Sequence, residues 1–238
     1  MKKFAFTLAE VLIALGVVGV VASMTLPSVV RHFEDKATVN KLKKAYSTLS
    51  KAHEQLKFDD ECNPRYWDLG GSGNSNGAKK VLNCYSKYIK KLKICNKGKG
   101  CFPEGIKYKS LDGTNNILLD NDTTLAKGIL NDGTLMFVWV DNRYCNNENQ
   151  FCATIAFDIN GFRNPNRWGV DTFEFIVYPQ KITPATNGDP GVSSSRCNPN
   201  QKNKHNGKSC TQWVLLYENL DYKYCKDLSF SGKHSCKE

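Results

Sequence analysis

One carboxylate sits inside the most apolar stretch of this chain, and any fold has to find that group a place. The first thirty residues read MKKFAFTLAEVLIALGVVGVVASMTLPSVV, with Glu10 near the front of the apolar run. About twenty apolar residues cross the roughly 30 Å of a hydrocarbon core, and Phe6 to Val30 is long enough. A carboxylate at the centre of such a span costs about 2.5–3.5 kcal/mol on insertion scales. One reading is a secretory signal, with Lys2 and Lys3 as its basic start and a small-residue cleavage site at Ala22, ahead of Ser23. Another is a plain single-span anchor. Neither gives Glu10 a role beyond that of a side chain snorkelling toward the membrane face.

Past residue 30 the uniform apolarity gives way to a stripe. Val39, Leu42, Tyr46, Leu49, His53 and Leu56 follow at intervals of 3, 4, 3, 4 and 3, one face of a helix, with lysines around the rest. Joined to the apolar run, this predicts a helix from Phe6 to about Lys57, on the order of 78 Å long at 1.5 Å per residue. The stripe needs a cover, which the following domain would supply, with His53 as a residue at the core's edge.

Ten cysteines behind a membrane-directed segment point to disulfides formed in an oxidising compartment. No close C-x2-C pair is present and the four histidines are scattered, which argues against zinc. Connectivity is not deducible from sequence. Pairing neighbours is the simplest expectation, because short loops close most easily: Cys62 with Cys84, Cys95 with Cys101, Cys145 with Cys152, Cys197 with Cys210, Cys225 with Cys236.

The remainder reads as α+β. GGSGNSNGA (70–78) has the composition of a surface loop, and the next segment places Val81, Leu82, Tyr85, Tyr88, Ile89 and Leu92 at helical spacing among lysines. Those lysines and tyrosines suit DNA as well as they suit a solvated helix face, and the net charge of +10 leaves nucleic acid open as a partner. ILLD (117–120) reads as a strand. KGILNDGTLMFVWVD reads as a hairpin turning at Asp132-Gly133, ATIAFDINGF and DTFEFIVY as strands flanking a polar loop, and QWVLLYENLDYKYC as the closing segment. In that polar loop Asp158, Asn160 and Asp171 are hard oxygen donors, which makes calcium the one cofactor the residues suggest, although Asn160-Gly161 and Asn164-Pro165 also serve as turn formers. No G-x-S-x-G, H-E-x-x-H or phosphate-binding glycine loop occurs, so an enzyme is not expected.

The segment KKFAFTLAEVLIALGVVGVVASMTLP resembles the start of type IV prepilins and type II secretion pseudopilins. The resemblance is specific over residues 1 to about 30 and covers only general shape beyond. It implies a leader (1–5) cut by a prepilin peptidase between Ala5 and Phe6, with the new Phe6 amine methylated; Ala5 stands where the family usually has Gly. Phe6-Thr7-Leu8-Ala9-Glu10 matches the family pattern, which implies that Glu10 meets the Phe6 amine of a neighbouring subunit during assembly. Two charges that are costly apart in low dielectric attract strongly once paired. Gly19 and Pro27 bracket a segment that loosens or kinks in many such pilins.

The implied architecture is a transmembrane and assembly helix (6–30), its amphipathic continuation (31–58) and a globular pilin-like domain (59–238). The long N-terminal helix would pack on that domain, an antiparallel sheet with disulfide-bonded loops. Some pseudopilins hold calcium in a loop of this kind. The implied partners are other subunits and an inner-membrane assembly platform. The implied course runs from a single-pass inner-membrane protein to a periplasmic or cell-surface fibre. Two alternatives stay open: a membrane-tethered or secreted disulfide-rich binding domain that does not polymerise, and a DNA-binding minor pilin.

Overall fold

The apolar stripe predicted for residues 39–56 is covered by a β-sheet. The structure, a computed structural model, describes residues 7–90, 93–95, 102–103, 105–114, 116–118, 122–186, 197–198, 200–203 and 205–237. Helix α1 (Leu8–Leu56) has 49 residues, roughly 74 Å of helix. It contributes to two compact units, Met1–Ala37 and Thr38–Glu238. In the first, Leu8, Leu12, Ile13, Leu15 and Met24 are all more than half exposed, and the helix continues through Gly19 and Pro27. Around the proline, which has no N–H to give, the hydroxyls of Ser23, Thr25 and Ser28 donate to the carbonyls of Val20, Val21 and Thr25.

In the second unit Val39, Leu42, Leu49, His53 and Leu56 are buried, and Tyr46 stacks on Phe175 at 5.5 Å with the rings 5° from parallel. Beside them packs α2 (Ser75–Tyr88), whose Val81, Leu82 and Tyr85 are buried in the same core. Here the loop expected over 70–78 is corrected. The helix begins at Ser75 because Asn74 caps it, its side chain accepting from the Gly77 N–H at 2.9 Å. Gly77 is present for space: a Cβ there would lie 2.1 Å from the Leu69 carbonyl oxygen. Glycine-rich composition, read as flexibility, marked a close approach instead.

The sheet comprises β1 (Lys93–Cys95), β4 (Ala126–Ile129), β5 (Leu135–Val140), β6 (Ala153–Asp158), β7 (Thr172–Val177) and β8 (Ile182–Pro184). Their order is β1-β4-β5-β6-β7-β8, antiparallel throughout. The expected hairpin turns at Gly133, whose φ is +84°. β2 (Lys107–Lys109) and β3 (Asn116–Leu118) form a separate antiparallel pair. Alternation gives the large sheet two unlike faces. Met136, Val138, Ile155, Phe157, Phe173 and Phe175 join the helices in one apolar core, whereas Phe137 and Ala156 pack on the other side with Tyr108 and Trp168. That second face also buries Lys127, Asp158 and Glu174.

The closing segment is helical: α3 (Cys210–Tyr217) followed by a 3-10 turn at Asp221–Lys223. A short continuous apolar run such as WVLLY does not distinguish a strand from a buried helix. Four disulfides join neighbours: Cys62–Cys84, Cys145–Cys152, Cys197–Cys210 and Cys225–Cys236. Cys95 is also disulfide-bonded, and its expected partner Cys101 lies outside the described residues.

Candidate functional site

Two places carry the residues singled out from the sequence. The first is the start of α1. Ala5 and Phe6 lie outside the described residues. Thr7 and Glu10 close a capping box: the Thr7 N–H and Oγ1 both donate to Glu10 Oε2 at 2.8 Å, and the Glu10 N–H donates to Thr7 Oγ1 at 3.3 Å. Within the single chain, then, the carboxylate occupies the end of the helix where unpaired N–H groups favour negative charge. Around it Leu8 is 78% exposed, so the charged group opens an uncovered apolar surface.

The second place is the loop between β6 and β7, on the polar face of the sheet. Asp158 ends β6 and is fully buried; the Tyr108 hydroxyl donates to its Oδ2 at 2.7 Å and the Asn160 N–H to its Oδ1 at 3.2 Å. Asp171 anchors the far end of the loop through four donors. Arg167 N–H and Thr172 Oγ1 reach Oδ1 at 2.6 and 3.2 Å, while Asn166 N–H and Asn160 Nδ2 reach Oδ2 at 2.8 and 3.1 Å. Asn160 therefore bridges the two aspartates that the sequence grouped with it.

Burial, reinforced by the charge of Asp171, pushes the Asp158 carboxyl up to about 8. Burial also raises Asp171, against the pull of its four donors. The buried Oδ1 atoms of Asn160 and Asn166 have no hydrogen-bond partner. Two carboxylates and two unsatisfied amide oxygens are donors that suit a hard cation, and these four residues are the ones that could hold calcium. No third carboxylate, histidine or cysteine joins them among the described residues.

Sequence reasoning missed a second polar cluster on the same face. Lys208 Nζ meets Glu174 Oε1 at 2.7 Å and lies over the rings of Trp139 and Trp168, 5.8 and 5.1 Å from their centroids. Nearby, the Thr154 hydroxyl donates to Asp141 Oδ2 at 2.8 Å, and burial pushes that carboxyl up to about 6. The only signal in the sequence was a glutamate within the apolar run TFEFIV.

The DNA surface expected on α2 loses its aromatic half. Tyr85 is buried against His53, Tyr88 gives its hydroxyl to Asp59 at 2.7 Å, and Lys87 pairs with Glu61 at 2.9 Å. Compared with protein-family models, curated proteins and solved structures, the chain matches none.

Proposed function

We propose that this chain is a pilin-like subunit of a type IV pilus or a type II secretion-like fibre. In this reading a prepilin peptidase cuts between Ala5 and Phe6 and the Phe6 amine is methylated. The apolar helix holds the subunit in the inner membrane until other subunits and the assembly platform draw it into a fibre. The observation that carries the reading is Glu10, a carboxylate at the start of a helix whose large apolar side chains from Leu8 to Val30 are exposed. In the membrane, Glu10 exchanges its bond to Thr7 for the amine of a neighbouring Phe6, which sets the register of helix bundling.

The experiment is mass spectrometry of the N-terminal peptide from native membranes and sheared surface material. A chain beginning at N-methylated Phe6 is expected. A chain beginning at Ser23, or one retaining Met1, overturns the reading in favour of a secreted or tethered domain that does not polymerise.

The unsatisfied Asn160 and Asn166 oxygens favour a further element of this reading, calcium held with Asp158 and Asp171. Calorimetric titration with calcium chloride should show one site, and Asp171→Asn should abolish it. Absence of binding at millimolar calcium removes this element and leaves the subunit reading untouched.

A further inference from the structure

Beside the Asp158–Asp171 loop, β2 and residues 162–167 enclose an open groove of about 520 Å³. Its frame is backbone: the Lys109 N–H donates to the Asn166 carbonyl at 2.8 Å and the Trp168 N–H to the Lys109 carbonyl at 2.9 Å. Tyr108 turns inward to Asp158, so strand alternation sends Lys107 and Lys109 outward together on the other side. Arg167 lines the same groove, and its Nε is buried with no acceptor. None of these three cations pairs with a carboxylate among the described residues. Several other basic side chains of this unit do have such partners: Lys43 with Glu218, Lys44 with Asp132, Lys87 with Glu61, Arg143 with Asp68. What sets this place apart is that three such cations line one groove. The carboxylates beneath the loop are buried and tied to donors of their own.

The groove also carries an aromatic ring. Phe162 is 38% exposed on its wall and packs in a T-shaped arrangement with Phe102, with centroids 5.2 Å apart and planes at 87°. A partly exposed ring beside three unpaired cations is the pairing that single-stranded nucleic acid uses: phosphates on the cations, an unpaired base on the ring. A duplex keeps its bases stacked inside, and an acidic polysaccharide or lipid needs the cations but not the ring. We infer that this groove binds single-stranded nucleic acid, with Lys107, Lys109 and Arg167 engaging the backbone and Phe162 stacking a base. The site is independent of the subunit reading, and either can fail alone.

The test uses the full chain in detergent micelles and a fluorescein-labelled twenty-nucleotide oligothymidylate, read by anisotropy. Three phosphate contacts predict a slope of about −2 for log affinity against log salt, hence a loss of roughly 20-fold between about 50 and 200 mM sodium chloride. Lys107→Glu with Lys109→Glu should abolish binding, and the milder Lys107→Gln with Lys109→Gln should weaken it in the same direction. Phe162→Ala should weaken it about 5- to 160-fold at constant salt while leaving heparin binding unchanged. Lys79→Glu with Lys80→Glu on α2 should have no effect. The inference is overturned if the oligonucleotide does not bind at low salt, or if reversal on α2 abolishes binding while reversal in the groove does not. An inert Phe162→Ala overturns it too, and assigns the groove to some other polyanion.

Discussion

His53 offers a measurement in which the sign and the size of an effect both follow from its surroundings. It is 1% exposed, and its Nδ1 shares a hydrogen bond of 2.8 Å with the hydroxyl of Tyr85, a phenol that burial keeps neutral. Burial, with the Lys57 ammonium adding to it and Glu54 opposing, lowers the imidazole to about 4. An unfolded histidine titrates near 6.5. Below pH 6.5 the unfolded chain takes up a proton that the folded chain refuses until about pH 4, so stability falls through that window and levels off beneath it. A fall from 6.5 to about 4 gives a limiting loss of about 3 kcal/mol, of which about 2 has gone by pH 5.

The assay is urea unfolding followed by tryptophan fluorescence, since the Trp67 ring lies 6.4 Å from that of Tyr85. The comparison is wild type against His53→Leu with Tyr85→Phe, which removes the titrating group and its partner together. The absolute pH curves mix several groups. Asp141, raised to about 6 in the fold, strengthens the protein as pH falls from 6 toward 4, the opposite sign. Asp141 is the same in both chains, so the difference between them isolates His53. That difference should change by about 3 kcal/mol between pH 7 and pH 4. A difference constant within about 0.5 kcal/mol would refute the claim that His53 is held neutral by its burial.

Lys208→Met should destabilise the protein by about 3–5 kcal/mol, because Glu174 is left charged and buried without its partner; adding Glu174→Met should recover most of the loss in the same urea titration. Asp171→Ala strips two backbone N–H groups, a hydroxyl and an amide of their acceptor; at about 1–3 kcal/mol for each stranded backbone donor, the thermal midpoint should drop well beyond that of Asp171→Asn. Replacing Cys62 and Cys84 by alanine opens a loop with a sequence separation of 22, which the chain-entropy relation values at about 3 kcal/mol in denaturant midpoints at constant slope. Gly77→Ala would improve helix propensity on an open helix, yet here it should destabilise because the Leu69 carbonyl blocks the new methyl; a raised melting temperature would show that the contact yields.

What could be read in the sequence divides along physical lines. The stripe from Val39 to Leu56 was legible because helical period and burial are one fact: a face recurring every three or four residues has to be covered, and the residues of that face are buried or half-buried. The hairpin at Gly133 was legible because Asp-Gly supplies the positive φ that its turn requires. Strands β1, β2 and β8 were not, since three residues carry too little period to register. Gly77 misled because glycine signals either freedom or lack of room, and only the position of the Leu69 carbonyl decides which.

The same limit governs the sites. Asp158, Asn160 and Asp171 were found because fourteen residues of sequence hold them all, and the fold draws them into one hydrogen-bonded loop. Lys208 and Glu174 stand in segments that only the fold brings together, and so do Lys109 and Arg167, paired through a parallel bridge. Glu10 needed no tertiary structure at all. A charge within a run long and apolar enough to cross a membrane conflicts with its immediate neighbours, and a conflict that local is visible from sequence because it is set by adjacent residues rather than by the rest of the chain.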